Sequence, residues 1–485
     1  MLKPLLDRNF CVGINSIVFH VMTHNPYLDK KPGMTLDGIG TFFQRDNTWW
    51  REMAEVNKYI YRCQKLLQYG KPVVDIAAYI GDDMPRRSII PNRLTNSLSG
   101  LFGQENIKQE QERLANKGLP MEVSPVGVNH TKNMVKADDF TNPLHGYHYD
   151  SFNHDVLNTA KVVNGKIHTA YGMKYSVLLV PQARPMNPNN INTATDIIEK
   201  LKAEGAITID KPWTKATLDE LGIPQDIVLP EGIDYTHRTG NDKDIYFLSN
   251  QSKSAITLNI AELKPRAKRA YTYIYDAVND KTYKDIEDIT LNYGESRFLI
   301  LSDEVDNNAI TLPTSSNEIA DITASDWNIL FETTGKNIKT AELKDWTTYD
   351  EPEIKYYSGH ATYSTEFKIK PAVRKKKSQV NKNSQPERTY IVLENVNNIA
   401  TVIVNGVNCG TVWTAPYKVD ITNAVNKGVN KVEISVVNTW ANALLGNDLG
   451  TPPFPNIWTN GKYRRAEKTT IPAGITGNIK IISEK

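Results

Sequence analysis

Histidines crowd the front of this chain. Seven of its nine (His20, His24, His130, His145, His148, His154 and His168) precede residue 169, and only His237 and His360 follow. Histidine chemistry, if the chain does any, therefore belongs to the front. His20 closes GINSIVFH (13–20), a β-branched run with the form of a buried parallel strand, and His24 follows in the loop. The carboxyl ends of parallel strands are where α/β layers build their sites, so both histidines suit a hydroxylated ligand or a metal. The alternative for each is a hydrogen bond to neighbouring backbone. The same loop goes on to Asp29, Asp37, Arg45, Asp46 and Trp49-Trp50. Carboxylate, guanidinium and aromatic ring on one loop suit sugar recognition, because polar groups fix hydroxyls while a ring face covers C–H surface. One tryptophan of the pair is equally suited to a helix core. Asp82-Asp83, just beyond the next strand, match the oxygen preference of calcium, or simply cap the following turn.

Other patterns are missing. Glycoside hydrolysis uses two carboxylates flanking the scissile bond. In residues 1–70 the only glutamates are Glu52 and Glu55, three apart on a helix, where they are expected to face solvent, and no strand there ends in a glutamate. The absence of a GxSxG elbow, a glycine-rich phosphate loop and HExxH disfavours serine hydrolases, nucleotide enzymes and zincins. Towards the rear, Trp413, Trp440 and Trp458, with Tyr417 and Tyr463 nearby, make either a carbohydrate platform or a core corner, the core being the better fit.

The elements that position these residues change character along the chain. Its 485 residues suggest about three domains at roughly 150 residues each. A composition 40% apolar and 23% charged is that of an ordinary globular protein. Lysine and arginine (57) balance aspartate and glutamate (55) to a net charge of +2, which leaves no field to recruit nucleic acid or an anionic membrane. No apolar run approaches the ~18 residues of a membrane span. Cys11, Cys63 and Cys409 are odd in number and far apart, against a disulfide framework or a structural zinc site. The first ten residues read as the last turns of a helix, with no charged and apolar signal-peptide pattern.

A helix follows at 48–69, with Thr48 at its start and Gly70 beyond its end, and KPVVDIAAYIG (71–81) reads as a buried strand. Up to about residue 235 the α/β pattern continues. GYHYDSFNHDVLNTA (146–160) is expected to open a helix and YSVLLVP (175–181) to be a strand. TATDIIEKLKAEG (193–205) reads as a helix stopped by glycine, and AITID (206–210) as a strand. Together they predict a small doubly wound layer. From 236 onwards, short alternating runs split by Gly, Asn, Asp and Ser predict two antiparallel sandwiches, with Asn405-Gly406 as a hairpin turn. Residues 371–388 interrupt the second as a basic insertion, better explained as a solvated loop than as a polyanion contact.

Read together, these stretches resemble glycoside hydrolase family 106, the α-L-rhamnosidases, with a family 2-type sugar-binding domain. The resemblance rests on LLDRNFCVGINSIVFHVMTHNPY (5–27), KPGMTLDGIGTFFQRDNTWW (31–50), YRCQKLLQYGKPVVDIAAYIGDD (61–83), GYHYDSFNHDVL (146–157) and DIYFLSNQS (244–252). In the rear it rests on IKYYSGHATYSTEF (354–367), VNGVNCGTVWTAPYKVDIT (404–422) and VVNTWANALLGND (436–448). It implies a multidomain α/β plus all-β chain. Residues 1–70 would be the last βα unit of a truncated (β/α)8 barrel, and 71–235 a flavodoxin-like α/β domain. Residues 236–325 would form a β-sandwich, and 326–485 a galactose-binding-like jelly roll. The implied activity is inverting, calcium-dependent removal of α-L-rhamnosyl units from plant polysaccharide, in the periplasm or outside the cell. No residue matches the family's catalytic glutamates, so no catalytic role is carried over, and the chain alone is expected to be inactive without the remaining barrel. His20, His24, Asp46 and Trp49 correspond to the substrate-binding rim, and Trp413, Trp440 and Trp458 are secondary sugar-binding candidates. No calcium ligand is identifiable. The alternative is a non-catalytic carbohydrate-binding or structural module.

Overall fold

The computed structural model describes residues 2–36, 43–79, 146–180, 194–209, 215–369, 387–461 and 468–485. Asp37, Asp82, Asp83, His130, His145, Tyr463 and all but the last two residues of the basic insertion lie outside them. The architecture is mostly β, with several sheets and few helices. The chain divides into two compact units, one of residues 1–16 and 62–312, the other of 17–61 and 313–485.

In the first unit a parallel sheet takes the strands in the order Tyr149–Phe152, Ile76–Tyr79, Val177–Leu179, Thr208–Ile209. In chain order that is 2-1-3-4, the way one common type of doubly wound sheet begins. Alternation decides what each face buries. Ile76, Ala78, Val177 and Leu179 point into one cluster with Leu218 and Ile223, while Ala77, Tyr79 and Leu178 point into another with Ile198 and Leu201. A strand buried on both faces must be apolar throughout, which is why IAAY and VLL show no polar alternation. Thr195–Ala203 is helical as expected, and Gly205 follows at φ +100. The stretch 146–160 corrects the expectation. Tyr149–Phe152 is a strand, and the helix begins only at His154, with the Asn153 side chain accepting from the Val156 amide (3.3 Å). Pairing with Ile76–Tyr79 prevails there over local helix preference.

Apart from a small three-stranded sheet (Lys161–Val163, Lys166–His168, Lys174–Tyr175), the rest of this unit is an antiparallel sandwich. Its larger sheet runs Lys281–Tyr283, Tyr271–Asp276, Ser296–Ser302, Lys243–Asn250, Ile233–Thr239, Lys71–Pro72, and a smaller one pairs Ile256–Asn259 with Asp288–Leu291. The helix Leu2–Cys11, as the sequence predicted, docks here. The Lys3 ammonium donates to Asp7 (2.6 Å), the Gly294 carbonyl (2.9 Å) and Ser296 (2.7 Å), and Phe10 lies edge-on to Phe247.

The second unit is a two-sheet sandwich. Four strands (Ser316–Asp321, Gly474–Glu484, Arg388–Asn397, Tyr417–Asp420) face six (Lys336–Thr340, Trp327–Phe331, His360–Ile369, Gly428–Val437, Ile399–Val404, Val407–Val412). The hairpin at Asn405-Gly406 forms as predicted, with φ of +51 and +81 and Val404 opposite Val407. Its core is aromatic. Trp327 and Trp346 are fully buried among Phe331, Tyr357 and Tyr363, and the Trp346 indole donates to the Tyr363 hydroxyl (2.6 Å).

One expected strand is absent. GINSIVFH forms no strand, and no described segment pairs along residues 14–27. A β-branched run becomes a strand only where a neighbour accepts its hydrogen bonds. Without one, Val18 is 88% and Met22 74% exposed. The helix after it does form, as Met53–Leu67.

Candidate functional site

Residues 17–61 are laid onto the rear sandwich by polar side chains. Asn25 is the anchor. Its carbonyl oxygen accepts from the amides of Tyr27 and Met34 (3.3 Å each), and its amide donates to the Asp46 carboxylate (2.8 Å). Gly33, at φ +78, lies so close that a side chain there would overlap the Asn25 amide. Lys31–Gly33 then pairs in parallel with Ile457–Thr459, and the Gln44 amide donates to the carbonyls of Pro32 (2.9 Å) and Met34 (3.1 Å).

Asp46 is the best-fixed of the predicted rim residues. Its carboxylate is largely buried, held by Asn25 with Arg45 at 3.7 Å, while its carbonyl accepts from the Trp440 indole (2.7 Å). The fold thus joins one residue of each predicted set, Asp46 from the loop and Trp440 from the rear. Thr48 beside them donates to the Asn438 carbonyl. Trp458 stands edge-on to Tyr27 (5.2 Å), and the Lys30 ammonium sits over both rings at 4.9 and 4.5 Å. Trp49 is half-buried with its edge towards Phe43, whereas Trp50 is exposed. Trp413 packs elsewhere, on Tyr59. His20 and His24 stand exposed on the unpaired segment.

Three residues of this region were missed or misread. Glu52 does not face solvent. It is 11% exposed, with one carboxylate oxygen 3.0 Å from His360 Nε2 and the other buried without a hydrogen-bond partner among the described residues. Asn25 and Lys30 carry no sequence signal beyond lying in a polar loop. Glu52 was hidden because its partner is more than three hundred positions away.

One of the two later histidines holds a charged network. His237, 3% exposed in the first unit, lies between Asp226 (Nδ1, 2.8 Å) and Asp244 (Nε2, 3.0 Å) and stacks on Tyr246. Burial alone would lower its pKa, but the two carboxylates raise it above the ordinary histidine value. Burial likewise works to raise Asp226 and Asp244. Hydrogen bonds from His237 nevertheless hold both below the carboxylate range, Asp244 at about 2 with Thr239 and Arg269 helping. Arg266 closes the network with two bonds to Asp75 (2.9 and 3.1 Å) and one to Asp226 (3.3 Å). Because its charges are mutually paired, this network reads as a clamp between the parallel layer and the sandwich. Nearby, burial lowers His148 to about 4.

Comparison with known proteins bears on the same residues. Residues 1–103 match the family model described as alpha-L-rhamnosidase, and residues 336–468 the glycosyl hydrolase 2 galactose-binding domain-like model. The chain resembles the family 106 α-L-rhamnosidases. A solved rhamnosidase from Novosphingobium sp. PP1Y superposes with a TM-score of 0.69 at 24% identity, covering 100% of this chain and 46% of that one, which supports the fold. A protein named "Putative beta-glucuronidase" from Formosa agariphila is 25% identical over 292 residues, 53% of this chain and 21% of that protein. This chain therefore spans less than half of either relative. Asp46, Trp49 and Trp50 lie inside the rhamnosidase match, Trp413, Trp440 and Trp458 inside the galactose-binding-like one.

Proposed function

We propose that this chain is the rear part of an α-L-rhamnosidase-type glycoside hydrolase, and that residues 17–61 with the rear sandwich form one wall of its sugar site. The observation that carries this reading is the Asp46–Trp440 contact, which ties the rhamnosidase-like segment to the galactose-binding-like sandwich. Asp46 accepts a sugar hydroxyl hydrogen, the Tyr27 and Trp49 rings cover C–H surface, and His20 and His24 supply further polar contacts from the exposed segment. The acid and base carboxylates come from the remainder of a (β/α)8 barrel, whose strands would pair along residues 14–24 and cover Val18 and Met22. Glu52 is bound to His360 and serves to position the helix Met53–Leu67. Calcium, implied by the resemblance, finds no cluster of three or more His, Cys, Asp or Glu side chains among the described residues, so no ligands are assigned to it and no step passes through it. The substrate in this reading is a rhamnose-bearing plant polysaccharide, met in the periplasm or outside the cell. No helix among the described residues is long and apolar enough to cross a membrane.

The purified chain should release no rhamnose from an aryl α-L-rhamnoside, whereas a longer gene product carrying the rest of the barrel should. Release by the chain alone would overturn the division of labour. A second reading, sugar binding without cleavage, is favoured by the Tyr27–Trp458 pair with its ammonium cap; binding that persists in a fully assembled but inactive protein would select it.

A further inference from the structure

The sandwich of the first unit contains an open groove of about 1150 Å³. That exceeds the ~300–1,000 Å³ of pockets that hold drug-sized molecules, so a chain of several sugar units fits better than one. Its floor lies over the buried side chains of Ile274, Leu299 and Leu301, and Tyr271, 41% exposed, offers a ring at the lip.

Charges of both signs surround this floor. Lys264, Lys268 and Lys284 line it together with Asp285, Glu287 and Asp306, and none of the six forms an ion pair among the described residues. Lys264 and Asp285 sit in the left-handed region, at φ +43 and +56, a conformation lysine rarely adopts. Arg269, also in the lining, is paired with Asp244 and Asp303 outside it, so the unpaired lining charges, three cations against three anions, leave no net field for an anionic ligand. They instead present both donors and acceptors, the complement of sugar hydroxyls, beside the Tyr271 ring, which suits C–H faces.

We infer that this groove binds a neutral oligosaccharide, separately from the Asp46 site. The inference does not depend on the rhamnosidase reading, since its residues lie outside both matched regions. The test is calorimetric titration of the full chain, and of its Tyr271→Ala, Lys268→Ala and Asp46→Ala variants, with neutral rhamno-, gluco- and galacto-oligosaccharides and with an oligogalacturonate. The expected result is a neutral-sugar site that Asp46→Ala retains, that Tyr271→Ala and Lys268→Ala each weaken at least about tenfold, and that is unchanged by added salt. Unchanged melting temperatures would establish that the variants are folded. The inference is overturned if no neutral oligosaccharide binds, if both groove variants bind like the parent, or if only oligogalacturonate binds with steep salt dependence. Loss confined to Asp46→Ala would instead support the first site and remove this one.

Discussion

Asp46 and His237 carry different weights in this molecule. Asp46 is a largely buried carboxylate whose bond from Asn25 leaves acceptor capacity free. A hydrogen bond to a charged group contributes about 1.5–3 kcal/mol, so Asp46→Ala should weaken rhamnosyl ligands about tenfold or more, read by calorimetry. His237 is structural. Replacing it by leucine leaves Asp226 and Asp244 buried without their shared partner and should cost about 3–5 kcal/mol in urea unfolding. The pH dependence follows from the directions of the shifts. Because the folded pKa of His237 is raised, its contribution is complete below the ordinary value of about 6.5 and falls away as pH climbs through the folded value. Asp226 and Asp244 are depressed, so theirs is complete above about pH 4 and is lost as pH falls, towards about 2 for Asp244. His148, lowered by burial, destabilises the fold increasingly as pH falls from 6.5 to about 4, and the full penalty persists below that. Melting temperature should therefore fall above pH 6.5 in the parent and less so in His237→Gln. Equal slopes would remove His237 from the account.

At the scale of elements, what was legible in the sequence was whatever local pattern decides. The apolar runs IAAY and VLL announced a sheet covered on both faces, and Asn405-Gly406 announced its turn. Gly70 beyond the Met53–Leu67 helix sits at φ +53, where a methyl would overlap the Thr239 carbonyl. Gly70→Ala should consequently destabilise by more than the ~1 kcal/mol of an ordinary glycine effect, read as a lower urea midpoint. What local pattern does not decide was missed. GINSIVFH has strand composition but no described partner, while YDSF became a strand because a partner was there. The rear tryptophans show the same limit. Trp327 and Trp346 make the core, whereas Trp413, Trp440 and Trp458 are half-buried against residues 17–61, a distinction that depends on contacts remote in sequence. Trp346→Ala should cost about 3–5 kcal/mol in urea unfolding, while Trp440→Phe, which removes the bond to Asp46 and trims the ring that packs on Phe454, should cost about 1 kcal/mol or somewhat more.

For the whole molecule, two compact units organise the chain, and residues 17–61 belong with the sandwich that begins about 250 positions later. That interleaving is why the candidate site draws on both ends of the sequence. It is also why residues 17–61 of the rhamnosidase match meet the galactose-binding-like match of residues 336–468. The most direct test of this account is calorimetric titration of the purified full chain and of Asp46→Ala with an α-L-rhamnosyl oligosaccharide. The account predicts saturable heat for the parent and, with the melting temperature unchanged, at least about tenfold weaker binding at one site in the variant. A flat titration for the parent, or an isotherm that Asp46→Ala leaves unaltered, would contradict it.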